Sequence, residues 1–365
     1  MKRAVSILLC AVMLLACLSG CAGTGGAPKE DAPKEDATET ITFTDSCGRA
    51  VELPKSISRV APSGAVAQMI LFSLAPELLC GWSGRLSEVQ MEYFDEKYCE
   101  LPVFGQFYGK NASLNMEALI AAAPQVIIDL GEKKETTQKD MDALMEQTGI
   151  PTIFIEATSD TYPQAYRALG ELLNAEKQGE EIAAYIEETL ELAKTAREHI
   201  GDNKITVMYG TGETGLDCNA RGSDHAAVIE LVGAENAIVV PEVSGKGGGN
   251  TITMEELINA DPQVILLAKG GNYEKVLTDP YWAGLTAVKN GSVHEIPAGP
   301  YSFMGMPPAV NQIIGIRWLG NLLYPEEYKL DMTAELQRFY KLFWHYELSR
   351  DEAYELLKNS SYKAG

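Results

Sequence analysis

Between residues 41 and 325 two hydrophobic patterns alternate. Short β-branched runs suited to buried strands lie near Arg59-Ala61, Leu79-Trp82, Val126-Asp129 and Thr152-Ile155, then near Ile205-Tyr209, Val264-Leu267 and Val293-Ile296. Segments with helical spacing start near Gly64, Asn115, Glu135 and Tyr162 in the first half, and near Ser223, Thr253 and Pro308 in the second. Strand-helix alternation of this kind predicts an α/β fold with largely parallel sheets. From Glu176 to His199 there is no proline, and Ile182, Tyr185, Ile186, Thr189, Leu190 and Ala193 recur on one helical face, with Glu and Lys on the other. Such a helix is about 35 Å long and links the two halves. After Tyr324-Pro325, two more amphipathic helices are expected near Thr333-Glu347 and Arg350-Lys358.

The halves are related. Asn115-Met116-Glu117-Ala118-Leu119-Ile120-Ala121-Ala122-Ala123-Pro124-Gln125-Val126-Ile127-Ile128 returns without a gap as Thr253-Met254-Glu255-Glu256-Leu257-Ile258-Asn259-Ala260-Asp261-Pro262-Gln263-Val264-Ile265-Leu266. Each copy reads as a capped helix, a proline that stops it and a buried strand. The pattern therefore predicts two Rossmann-like lobes with central, mostly parallel sheets, each with its own core, joined by one long α-helix. The expected boundaries are 41–175 for the first lobe, 176–200 for the helix, 201–325 for the second lobe and 326–365 for a helical extension.

The remaining composition narrows the function. Lys2 and Arg3 precede an apolar run from Ala4 to Leu18 of about 15 residues, short of the roughly 20 that span a bilayer, so residues 1–20 read as an export signal. Leu18-Ser19-Gly20-Cys21 resembles a bacterial lipobox, which implies cleavage before Cys21 and lipidation of its thiol. Residues 21–40, with Ala27-Pro28-Lys29-Glu30-Asp31 repeated at once, read as a disordered tether. A formal charge of −21 argues against nucleic acid as a partner. Cys47, Cys80, Cys99 and Cys218 show no metal-binding spacing, and their pairing stays open; His199, His225, His294 and His345 are too scattered for a zinc site on one helix. No metal site and no resident cofactor are expected.

With these features in order, the chain resembles the binding proteins of ABC importers for iron-siderophores, haem and cobalamin, the class with a rigid interlobe helix. The resemblance is carried by Phe43-Thr44-Asp45-Ser46-Cys47-Gly48-Arg49, Arg59-Val60-Ala61-Pro62-Ser63, the doubled Met-Glu helix with its Pro-Gln-Val-Ile strand, and Ala287-Val288-Lys289-Asn290-Gly291-Ser292-Val293. It implies a monomeric, non-enzymatic lipoprotein at the outer face of the cell membrane. Its cargo would be an iron complex, or alternatively cobalamin or a molybdate-like oxyanion, delivered to a permease dimer with its ATPase subunits. It also implies that Glu117 and Glu255, one per lobe, dock into arginines of that permease. The bland alternative, that each carboxylate only stabilises its helix N-terminus, stays open.

In open α/β sheets ligands bind outside the carboxyl ends of the strands, so the cleft is expected between the lobes at their β→α loops. The loops named by this rule hold Ser63, Gln106, Phe107, Tyr108, Asn219, Arg221, Tyr301 and Phe303. Phe107, Tyr108, Tyr301 and Phe303 are candidate planar walls, with core packing as the alternative. By the resemblance, Gln106-Phe107 and Tyr301 fall where relatives place aromatic contacts. Arg221 before Gly222-Ser223-Asp224 is a candidate anion site, or else a salt bridge to Asp217 or Asp224. Gly210-Thr211-Gly212-Glu213-Thr214-Gly215 also fits G-x-G-x-x-G, the remote alternative of a dinucleotide-binding oxidoreductase, which requires a helix at 212–216. No Gly-x-Ser-x-Gly elbow is present.

Overall fold

In the computed structural model, which describes residues 39–109, 112–270 and 272–360, the chain opens with a hairpin that hydrophobic alternation had not indicated. Strand β1 (Thr40–Thr44) pairs antiparallel with β2 (Ala50–Pro54). Asp45 makes the turn: its Oδ1 accepts the backbone N–H groups of Cys47 and Arg49 at 2.9 and 3.0 Å, and its Oδ2 accepts Phe154 N–H at 3.2 Å. One buried carboxylate thus folds the Asp-Ser-Cys-Gly-Arg turn and fastens it to the first lobe. The expected export signal, most of the tether and Cys21 lie outside the described residues.

The first lobe follows the predicted order: β3 (Val60–Pro62), α1 (Ala65–Leu74), α2 (Met116–Ala122), β4 (Val126–Gly131), α3 (Thr137–Thr148), β5 (Thr152–Glu156) and α4 (Tyr162–Leu173). Its three-stranded sheet runs β3-β4-β5, all parallel. The strand expected at Leu79-Trp82 is reduced to single bridges, Leu79 to Val60 and Trp82 to Val103. Cys80 N–H still donates to Val60 O at 3.1 Å and Trp82 N–H to Pro102 O at 2.8 Å, and Gly81 is pressed so closely on the Phe104 ring that a Cβ would meet it at 2.2 Å.

Helix α5 (Glu176–Ile200) is a single unbroken element, as its spacing predicts. The second lobe contains β6 (Thr206–Thr211), β7 (Asp217–Cys218), α6 (Ala227–Leu231), β8 (Glu235–Asn236), β9 (Asn250–Thr251), α7 (Met254–Ala260), β10 (Val264–Leu267), β11 (Val293–Glu295) and α8 (Asn311–Leu323). Its sheet is mixed: β11-β10-β6 and β8 are parallel, while β7 and β9 add antiparallel. The extension supplies α9 (Met332–Phe343) and α10 (Arg350–Leu357).

The sequence repeat has a common physical basis. Asn115 caps α2 by accepting Ala118 N–H at 3.1 Å, and Thr253 caps α7 by accepting Glu256 N–H at 3.2 Å. Both helices end in a left-handed residue, Ala123 and Asp261, just before proline. The following glutamine then reaches sideways: Gln125 Oε1 accepts Ser58 N–H at 2.7 Å, and Gln263 Oε1 accepts Thr206 N–H at 2.9 Å. In each lobe this glutamine holds the start of the neighbouring parallel strand in register.

Each lobe was expected to have its own core, but the main cluster of buried side chains runs without interruption through both lobes, α5 and the extension. Smaller clusters flank it in each lobe. The extension is therefore structural. Gln178 at the start of α5 donates to Leu342 O at 2.8 Å, Glu295 N–H of β11 donates to Asn359 O at 2.9 Å, and Tyr340 donates its hydroxyl to Gly299 O. The four described cysteines are all free thiols.

Candidate ligand-binding cleft

Parallel strands deliver their carboxyl ends to one edge, so the loops after β3, β4 and β5 lie side by side. Ser63-Gly64, Gly131-Glu132 and Ala157-Thr158 form one wall of a cavity of about 720 Å³; Asp224, Ala227 and Leu231 before and along α6, with Pro308 and Gln312 around the start of α8, form the other. Each lobe contributes a wall. A second cavity of about 420 Å³ adjoins it through Ala65 and Gln106 and is closed by Pro300-Tyr301-Ser302 and Met306. A larger cavity, about 840 Å³, lies between the start of α5 and Trp344-Tyr346, away from the strand ends, and shares none of these residues.

A hydrogen-bonded trio sets the first wall. The Asp129 carboxylate on β4 accepts the Ser63 hydroxyl on one oxygen and the Tyr108 hydroxyl, at 2.6 Å, on the other. Burial pushes the Asp129 carboxyl above its ordinary value, while the two hydroxyls pull it back. Tyr108 is pushed up by burial and then by the neighbouring Asp129 charge, so its hydroxyl stays protonated and acts as a donor. The trio pins the 105–109 loop to the sheet. Beside it, α1 begins at Gly64 with no side-chain cap and no acidic residue in its first turn. Its free N–H groups and positive dipole end lie at the cavity.

The structure brings Ser63, Gln106 and Tyr108 together at the larger lobe-lobe cavity, and Gln106 with Tyr301 at the smaller one. Tyr301 is packed from behind by Trp344, with ring centroids 5.2 Å apart. The other four lie elsewhere. Phe107 turns inward against Phe104, and Phe303 is buried under Trp318, so both are packed in the interior. Asn219 and Arg221 follow β7, an antiparallel strand, and so do not emerge at the parallel strand ends. Asn219 is fully buried and donates to Gly247 O at 3.0 Å; Arg221 binds Asn236 O and pairs with Glu235. The salt bridge expected with Asp217 or Asp224 is thus made with Glu235 instead.

Arg85, Gln68, Thr158 and Gln312 line the cleft but were not among the loops singled out from sequence. For Arg85 the signal was present: Ser83-Gly84-Arg85 directly follows the Leu79-Trp82 run. The G-x-G-x-x-G segment is the tight turn between β6 and β7, with Thr211 opposite Asp217. No helix opens at 212–216, which removes the dinucleotide-binding reading.

On the outer surface, Glu117 and Glu255 are both exposed and make no ion pair or hydrogen bond among the described residues. Capping is done by Asn115 in one copy and by Thr253 with Glu256 in the other.

Comparison with known proteins agrees with this geometry. Residues 104–300 match the model of the periplasmic binding protein family Peripla_BP_2. The Fe(3+)-citrate-binding protein YfmC of Bacillus subtilis is 22% identical over 195 residues, 51% of this chain and 58% of that protein, so the match spans little more than half of the relative. The solved ABC transporter solute binding protein of Sulfurospirillum deleyianum superposes with a TM-score of 0.78 at 27% identity, covering 87% of this chain and 99% of that one. The molybdate-bound MolA of Haemophilus influenzae superposes with a TM-score of 0.65 at 20% identity, covering 85% of this chain and 99% of that one.

Proposed function

The chain belongs to the periplasmic binding protein family, and from that premise we propose that it is the extracytoplasmic substrate-binding component of an ABC importer. Its cargo is an iron complex of siderophore or haem type, held in the cleft between the lobes and delivered to a permease dimer with ATPase subunits. The observation that carries this reading is the cavity of about 720 Å³ walled by strand-end loops of one lobe and by the α6 and α8 starts of the other. Its lining is polar, combining hydroxyls, amides and free backbone N–H groups with Lys134 and the carboxylates of Asp129, Glu132, Asp140 and Asp224, which suits a polar, metal-containing complex more than an apolar ligand. The iron-citrate relative supports that cargo class, while the molybdate-bound relative supports a small oxyanion as the second reading. Lipidation at Cys21 would tether the protein to the outer face of the membrane, with residues 22–38 as spacer, and Glu117 with Glu255 would address the permease.

Native mass spectrometry of the protein purified from its own growth medium tests the cargo. An adduct carrying iron supports the proposal. A metal-free organic adduct contradicts it.

A further inference from the structure

The smaller cavity has a charge pattern unlike the rest of the molecule. Of its lining residues, only Arg85 is charged, and no carboxylate is among them. Around it stand the hydroxyls of Ser83 and Ser302, the amides of Gln90 and Gln106, and Tyr301. In a chain of net charge −21 this is a local exception. The other described arginines, Arg350 apart, are tied to carboxylates or carbonyl oxygens. Arg85 is exposed and makes no hydrogen bond or ion pair among the described residues, although Glu88 is only three residues further along.

The surroundings of Arg85 are fixed. The Ser87 hydroxyl and the Gln90 side chain close a capping box immediately after it. Gln68 Oε1 accepts both Ser83 N–H at 3.0 Å and the Ser83 hydroxyl at 2.7 Å immediately before it. The loop is thus anchored on both sides, and the one side chain it leaves uncommitted is a planar guanidinium with five donors. Such a group is matched by the paired oxygens of a carboxylate or another oxyanion.

We propose that Arg85 is the anion-recognition residue of the cleft and that the transported ligand presents a carboxylate or other oxyanion group to it in the smaller cavity, which no carboxylate lines, rather than in the larger one, which Asp129, Glu132, Asp140 and Asp224 line. This rests on the importer reading and narrows its cargo to anionic complexes. The ligand bridges the lobes at this point, because Arg85 comes from one lobe and Ser302 from the other.

The test is calorimetric titration of the purified protein with ferric citrate, with molybdate and with cyanocobalamin, a neutral complex, at low and high salt. Arg85→Gln and Arg85→Lys are compared with the parent. The expected result is binding of one of the anions, weakened about ten- to hundredfold in Arg85→Gln and partly restored in Arg85→Lys. The dependence of affinity on salt should also flatten in Arg85→Gln, which a purely structural role would not produce. Equal anion affinity in Arg85→Gln overturns the assignment and leaves the importer reading standing. Binding of cyanocobalamin alone, or of none of the three, overturns the anionic cargo.

Discussion

Arg317 lies buried beneath Tyr185, its guanidinium carbon 4.4 Å from the ring centroid. The contact joins α8 of the second lobe to the interlobe helix, and Arg338 of the extension covers the same ring at 4.6 Å. Arg317 also donates to Thr189 at 2.8 Å, to Glu188 at 2.8 Å and to Glu335 at 2.9 Å.

This node predicts an asymmetry between its two arginines. Arg317→Gln removes a buried cation and strands Glu335, and should destabilise the fold by about 3 kcal/mol. Arg338→Gln removes an exposed one and should cost under about 1 kcal/mol. Urea denaturation of both variants measures the difference; equal effects would show that burial at this node is energetically unimportant.

Two groups give the stability a defined acid side. Glu188 is held down to about 2, first by the hydrogen bond from Arg338 and then by that from Arg317. Its contribution is complete above its ordinary value of 4.5 and is lost as pH falls toward 2. Burial pushes the His294 imidazole down to about 4, so the folded state binds fewer protons than the unfolded chain and stability declines from pH 6.5 toward 4. The urea midpoint should fall in both windows, with His294→Gln flattening the upper one and Glu188→Gln the lower.

Lobe closure should be small. A wide hinge would have to bend α5 and also break the ties of Leu342 to Gln178, Tyr340 to Gly299 and Asn359 to Glu295. Small-angle scattering with and without ligand should give the same radius of gyration. A clear contraction on binding would contradict this bracing.

The two repeat helices present matching surfaces. Ile120 and Ile258, at the same position of the two copies, are 62% and 53% exposed, one helical turn after Glu117 and Glu255. Exposed ion pairs are worth only about 0–1 kcal/mol, so the carboxylates should steer docking more than hold it. Glu117→Lys with Glu255→Lys should abolish ligand-driven uptake in a reconstituted transporter and leave ligand affinity unchanged. Normal uptake by the double variant would leave helix stabilisation as the role of these residues.

Much of the architecture was legible because it rests on local rules. The apolar stripe from Ile182 to Ala193 implied one long helix, and the doubled helix-Pro-Gln-strand unit implied two related lobes. Features fixed by contacts distant in sequence were not legible: Asp45 fastens the β1-β2 hairpin to Phe154 N–H, and the Leu79-Trp82 run makes only single bridges, to Val60 and Val103, with Gly81 packed on Phe104. Of the residues named by the strand-end rule, Ser63, Gln106, Tyr108 and Tyr301 line the two cavities between the lobes. The rule grouped Asn219 and Arg221 with them, but these follow β7, a two-residue antiparallel strand that the hydrophobic pattern did not reveal. Aromatic type alone did not separate Phe107 and Phe303, which line neither cavity, from Tyr108 and Tyr301, which do, Tyr301 being itself buried in the main core.

The central claim, that the space between the lobes is the ligand site, is tested most directly by filling it. Ala65 is exposed and lines both cavities, so Ala65→Trp puts an indole where the ligand would sit without disturbing the core. Calorimetric titration of parent and variant with ferric citrate should show loss of at least about a hundredfold in affinity, more than about 2.7 kcal/mol, at an unchanged melting temperature. Unaltered affinity in a variant folded as stably as the parent would contradict the claim.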